Sequence, residues 1–93
     1  INNAAIVVMG LLYGQGDYER SITTSVMGGF DTDCNGATAG SILGVIHGAE
    51  ALPAKWIEPL NNLVESFVIG CNNSQISDLA KGTTTMAEKI LGK

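Results

Sequence analysis

Residues 28–51 of this 93-residue chain read GGFDTDCNGATAGSILGVIHGAEA, and this stretch decides how the fold is interpreted. Two aspartates, Asp31 and Asp33, stand two positions apart, and glycines recur every fourth residue after them. Each glycine inside a helix costs about 1 kcal/mol relative to alanine. A helix over 35–51 with four such glycines is therefore expected where another helix crosses it at close range. The stretch predicts an acidic loop followed by a helix packed among other helices.

Further helices are expected on both sides of this stretch. Apolar periodicity and capping residues predict a helix from about residue 2 to residue 13, capped by Asn2 or Asn3. A second helix is expected over 18–27, with Asp17 as its N-cap and glycines after its last turn. The sequence up to the acidic loop therefore predicts two consecutive helices joined by a short turn.

The second half of the chain predicts shorter elements before a final helix. Pro53 suits the first position of a helix of one or two turns. Residues 64–69 alternate weakly and predict a short strand or an extended loop. The last helix is expected to begin at Ser74 or Ser77. No repeat or linker divides the chain, so residues 1–93 are expected to form a single segment of an all-α class.

Composition excludes several kinds of function. Apolar residues make up 45% of the chain, which indicates a folded protein. The net charge is −4 and five basic residues are spread thinly, which argues against a nucleic-acid partner. The apolar run over 4–13 is too short to span a bilayer, so no membrane partner is expected. Two cysteines without framework spacing favour a reducing, cytoplasmic location.

The acidic loop fits a calcium-binding EF-hand only in its first half. Asp31, Asp33, Asn35 and Gly36 match the early ligand and glycine positions of such a loop. The bidentate glutamate of an EF-hand falls here on Ile42, which cannot bind a cation. The EF-hand interpretation therefore lacks the ligand that it most needs.

Two other interpretations of the aspartate pair stay open at this point. One carboxylate could cap the helix that follows, which contributes about 1 kcal/mol. A second carboxylate beside it would be repelled, and no lysine or arginine lies within ten residues on either side. A Mg²⁺ or Mn²⁺ site would explain both, because these cations prefer carboxylate oxygens. The other acidic residues form no second cluster in the sequence, so this chain would hold only part of that site.

The stretch GGFDTDCNGATAGSILGVIHGAEALPAKW resembles the C-terminal signature of the ADP-ribosylglycohydrolases. This family includes the dinitrogenase reductase activating glycohydrolases and their crystallin J1-like relatives. The family pattern is a glycine-rich approach, Asp-Thr-Asp-Thr, a small-residue helix and then Leu/Ile-Pro-x-x-Trp. This chain has Asp-Thr-Asp-Cys at 31–34 and Leu-Pro-Ala-Lys-Trp at 52–56. The resemblance covers about residues 1–60 and is looser over 61–93.

The resemblance implies an all-α orthogonal helical bundle with a two-magnesium centre, in which manganese could replace magnesium. Asp31 and Asp33 would be metal ligands, one of them bridging, and Cys34 would stand where the family carries a hydroxyl ligand. A thiol is a poor ligand for a hard cation, so Cys34 departs from the family pattern. The family's other metal-binding motif and its water-activating acidic residue are not found in this sequence, and no catalytic residue is assigned to the chain.

The sequence thus predicts the C-terminal portion of an ADP-ribosylglycohydrolase-like hydrolase whose N-terminal portion is absent. The full protein would cleave ADP-ribose from an acceptor, and its partner would be an ADP-ribosylated substrate. The chain is expected to be inactive alone, and the missing portion could be supplied as a separate chain. The alternative is a small α-helical interaction or structural module that uses the aspartate pair as a helix cap.

Overall fold

The computed structural model describes residues 1–92 and is mainly helical, as the sequence predicts. The helices of this part of the chain are α1 (Asn2–Gly14), α2 (Tyr18–Met27), α3 (Thr32–His47), α4 (Ala54–Ile57) and α5 (Ile76–Leu91). Short 3-10 turns cover Ala49–Ala51 and Glu58–Leu60, and two strands, β1 (Leu63–Glu65) and β2 (Asn73–Gln75), form a small sheet. The chain divides into two compact units, Ile1–Pro53 and a second that begins at Ala54. None of the helices in residues 1–92 has the length and apolar character needed to cross a membrane.

Helices α1 and α2 pack through small residues rather than through large apolar ones. Gly10 and Gly14 of α1 face Ser21 and Ser25 of α2, and both serines are fully buried. A Cβ atom added at Gly14 would lie 2.7 Å from the Cα of Ser21. Residues four apart share one face of a helix, so these two small pairs bring the helix backbones close together.

Helix α3 packs on α2 through two of the four regularly spaced glycines. A Cβ atom at Gly36 would lie 3.1 Å from Val26 Cγ2, and one at Gly40 would lie 3.4 Å from Ile22 Cδ1. Gly44 faces open space, and Gly48 has a φ of 78° where it ends the helix. The predicted close packing therefore occurs at Gly36 and Gly40, against side chains of α2 and not against a second backbone.

The ends of the first three helices match the predictions only in part. Asp17 caps α2 as predicted, and its Oδ1 accepts a hydrogen bond of 2.7 Å from the Arg20 N–H. The predicted asparagine cap of α1 is wrong, because Ile1 holds that position without a side-chain hydrogen bond. Helix α3 begins at Thr32 rather than at residue 35, so Asp33 lies within its first turn. A carboxylate is favourable there because the positive end of the helix dipole lies at the N-terminus.

The second unit contains the small sheet and helix α5. The strands β1 and β2 pair antiparallel, with Val64 opposite Ser74. The extended segment predicted over 64–69 is thus a strand only in its first residues. The predicted serine cap of α5 is also wrong, because Gln75 holds the N-cap position without a side-chain hydrogen bond. Asn62 supplies the bonds instead: its Oδ1 accepts from the Ser77 N–H at 3.0 Å, and its Nδ2 donates to the Ser77 Oγ at 2.9 Å.

Candidate metal centre

The start of α3 brings three potential metal ligands together. Asp31 holds the N-cap position of the helix, and Asp33 and Cys34 lie in its first turn. One ligand atom from each of these three residues lies within 4.8 Å of the others, and all three residues are exposed. We refer to these three residues as the acidic cluster. The structure places the predicted ligands side by side, while their binding of a metal stays a prediction.

The carboxylate of Asp31 is not used to cap the helix. Asp31 has the N-cap position, but its side chain makes no capping hydrogen bond. An N-cap carboxylate normally accepts a hydrogen bond from a backbone N–H of the first turn. Helix capping therefore does not account for the Asp31 carboxylate.

The side chains of the acidic cluster act mainly on one another, and they do so first through hydrogen bonds. The Asp31 side chain, through a hydrogen bond, is the first cause that lowers the pKa of Asp33, and the backbone N–H groups of Cys34 and of Asp33 itself follow. The same Asp31 side chain raises the pKa of the Cys34 thiol by its hydrogen bond and its charge, and Asp33 adds to this effect. No cationic side chain is among these causes. The cluster thus consists of two acidic side chains beside a thiol whose pKa is raised.

Two of the three residues of the acidic cluster are suitable ligands for a hard divalent cation. Carboxylate oxygens are the preferred protein ligands of Mg²⁺ and Mn²⁺. A protonated sulfur is a poor ligand for such cations, which bind oxygen better than sulfur. Asp31 and Asp33 are therefore the residues that would hold the metal, and Cys34 would lie beside it without contributing a strong bond.

A groove of about 450 Å³ begins at the cluster and continues between α1 and α3. Its polar end contains Asp31 and Cys34, and its other end is lined by apolar side chains that include Val8 and Ile42. His47, the only histidine of the chain, lies about 20 Å away along α3. The His47 Nε2 is 2.7 Å from the carbonyl oxygen of Gly16, which joins the end of α3 to the turn between α1 and α2.

Two asparagines, Asn3 and Asn35, support the acidic cluster, although the sequence predicted a helix cap for Asn2 or Asn3 and only an EF-hand-like position for Asn35. The Asn3 Oδ1 accepts hydrogen bonds from the Asp31 N–H at 3.4 Å and from the Asn35 Nδ2 at 3.1 Å. Asn35 is only 3% exposed. The sequence contained a hint of this role, because Asn35 is an amide at the start of a helix made otherwise of small and apolar residues.

The fold and the candidate site are those of a mainly helical protein with two acidic residues at the start of a helix. The chain matches the family model described as ADP-ribosylglycohydrolase over residues 1–91. The chain therefore belongs to the ADP-ribosylglycohydrolase family, and the resemblance seen in the sequence is confirmed. The match also includes residues 61–91, where the resemblance is looser. No curated protein and no solved structure matches the chain.

Proposed function

We propose that this chain forms part of a hydrolase that releases ADP-ribose from an acceptor, and that it contributes Asp31 and Asp33 to a two-magnesium centre. Membership of the ADP-ribosylglycohydrolase family supports the reaction class. The observation that carries the metal proposal is the gathering of three ligand atoms within 4.8 Å at the start of α3. The uncapped Asp31 carboxylate gives this proposal further support.

The chain would hold only part of the metal centre. Mg²⁺ prefers six oxygen ligands in octahedral geometry, and a second metal needs further ligands of its own. Within residues 1–92, the acidic cluster is the only such group of three or more histidine, cysteine or acidic residues. The remaining ligands and the acid/base groups are proposed to come from a further portion of the enzyme, as a separate chain or as part of the same domain. Bound divalent metals would orient the hydroxyls of the ribose and stabilise developing negative charge.

The alternative, an interaction or structural module with the aspartates as a helix cap, has less support. A capping role requires the N-cap side chain to bond the first turn of α3. Asp31 makes no such bond. Backbone N–H groups of the first turn act on Asp33 and lower its pKa, so a cap would account for one aspartate of the pair and would leave Asp31 unexplained.

Metal binding by the chain is tested with Mn²⁺ and NMR. Increasing Mn²⁺ is expected to broaden the amide signals of residues 31–35 first, with a Kd of about 10⁻³ M, the weak end of protein cation sites. Mg²⁺ should compete for the same site. Asp31→Asn and Asp33→Asn should each remove the local broadening, whereas Glu50→Gln, which removes an exposed carboxylate of the same unit, should not.

Two results would contradict the metal proposal in different ways. Broadening that is unchanged in the double variant Asp31→Asn/Asp33→Asn would show that the cluster is not the site. A micromolar Kd in the isolated chain would leave the site in place but refute its incompleteness.

The reaction is tested by supplying the proposed further portion of the enzyme. The chain alone is expected to release no ADP-ribose from an ADP-ribosylated protein. When it is mixed with an N-terminal portion from a member of the same family, release should appear and should require both aspartates. Release that persists in Asp31→Asn/Asp33→Asn would overturn the proposed role of the cluster. Release by the chain alone would show that no second portion is needed.

A further inference from the structure

The start of α3 is held by side chains from outside its own first turn. The backbone N–H of Asp31 donates to the Asn3 Oδ1 at 3.4 Å, and the backbone carbonyl of Asp31 accepts from the Asn35 N–H at 2.9 Å. The Asn35 Nδ2 closes the arrangement by donating to the same Asn3 oxygen at 3.1 Å. The backbone of Asp31 is thus bonded at both of its polar groups, while its side chain makes no capping hydrogen bond to α3.

This arrangement takes the place of a capping box, which is a common motif at helix N-termini. In a capping box, the third residue of the helix is Glu or Gln, and its side chain bonds the N–H of the N-cap residue. That position is occupied here by Cys34, which cannot reach back as an acceptor of comparable strength. Asn3, which comes from α1, bonds the Asp31 N–H in its place.

The orientation of both amides follows from one fixed donor. A backbone N–H can only donate, so the Asp31 N–H requires the oxygen of the Asn3 amide. That oxygen then requires the nitrogen of the Asn35 amide. Asn35 is 3% exposed, so its amide depends on this bond rather than on water. Asn3 is attached to a helix whose next turn is buried at Ile6 and Val7, and this anchors the acceptor.

We propose that Asn3 and Asn35 are positioning residues of the metal centre, which fix the backbone of Asp31 so that the carboxylates of the acidic cluster face a cation together. This inference rests on the proposed function, because it assigns a role toward the metal that Asp31 and Asp33 would bind. Neither asparagine contacts the metal. Their contribution is to hold the ligands in place before binding, as outer residues of metal sites commonly do.

The test compares two neighbouring asparagines by the same substitution. Asn3→Ala removes the shared acceptor, and Asn2→Ala changes the adjacent exposed residue in the first turn of the same helix. Alanine is the best helix former, so both variants are expected to fold, and far-UV circular dichroism checks this. The full chain is titrated with Mn²⁺, and hydrogen exchange of the Asp31 amide is measured without metal.

Asn3→Ala should raise the Mn²⁺ Kd about tenfold, the lower end of the effect of outer residues at metal sites. It should also speed exchange of the Asp31 amide, whereas Asn2→Ala should change neither quantity. Asn3→Asp restores the acceptor oxygen, and Asn2→Asp controls for the added charge. Both aspartate variants keep an acceptor oxygen at position 3, and both carry one added negative charge. Their Kd values for Mn²⁺ should therefore lie within about twofold of each other.

The outcomes separate this inference from the proposed function. If the wild-type chain binds Mn²⁺ at the cluster and Asn3→Ala binds it equally well, the positioning role is refuted and the metal site stands. If the wild-type chain shows no local effect of Mn²⁺, the metal site fails and the positioning role fails with it. If Asn2→Ala weakens binding as much as Asn3→Ala, the effect belongs to the first turn of α1 in general and the inference is overturned.

Discussion

Replacement of Gly14 by alanine tests whether close contact between α1 and α2 determines the stability of the first unit. A Cβ atom at this position would lie 2.7 Å from both the Cα and the Cβ of Ser21. A backbone atom cannot swing aside as the end of a flexible side chain can, so the two helices would have to separate. Few apolar side chains are buried in this unit, and they include Ile6 and Val7 of α1.

The expected loss of stability follows from two opposed effects. Overpacking costs about 1–3 kcal/mol. Gly14→Ala should lie near the upper value, because the new methyl group would meet a backbone atom of α2. The higher helix propensity of alanine offsets up to about 1 kcal/mol of this cost. The net change is a destabilisation of about 2 kcal/mol, which corresponds to a Tm lower by about 8–16 °C at 4–8 °C per kcal/mol.

Gly44 provides the matched control for this prediction. It is also a helical glycine, but a Cβ atom there would have no neighbour within 4 Å. Gly44→Ala should therefore keep the gain in propensity and stabilise the chain by about 1 kcal/mol. Urea unfolding followed by far-UV circular dichroism measures both variants. Midpoints that move in the same direction by similar amounts would refute the close contact of α1 and α2.

Three further predictions concern single side chains. The Ser21 Oγ is buried and has no hydrogen-bond partner in residues 1–92, so Ser21→Ala should raise the free energy of unfolding by up to about 1 kcal/mol in urea unfolding. Asn62→Ala should weaken the start of α5 by about 1 kcal/mol, seen as faster hydrogen exchange there, whereas Asn61→Ala, which shares its positive φ, should not. Asp31 raises the pKa of Cys34, so Asp31→Asn should shift the pH profile of Cys34 alkylation to lower pH, measured by mass spectrometry.

Local chemistry in the sequence predicted the elements that depend on neighbouring residues. Asp17 and the glycines after Met27 define α2 through bonds that span a few positions, so the prediction of this helix is confirmed. The gathering of Asp31 and Asp33 also follows from their spacing. The small-residue contact between α1 and α2 was not predictable in this way, because a glycine contributes nothing to an apolar pattern.

The support of the acidic cluster was missed for a different reason. The bonds of Asn3 reach 28 and 32 positions along the chain, to Asp31 and Asn35. Local sequence patterns assign an asparagine near the start of a helix to the cap of that helix. In the structure, the same side chain bonds the N-terminus of α3 instead, and only the packing of α1 beside α3 makes that possible.

The acidic cluster links stability to the presence of a divalent cation, and this gives the last prediction. Asp31 makes no capping hydrogen bond with α3, so Asp31→Asn should leave the chain about as stable as the wild type without metal. At a Mg²⁺ concentration ten times its Kd, binding should stabilise the wild-type chain by about 1.4 kcal/mol and should not stabilise the variant. Thermal unfolding with and without Mg²⁺ measures both, with Glu50→Gln as the control. An equal rise of Tm in all three proteins would indicate a general salt effect, and the aspartate pair would then need another explanation.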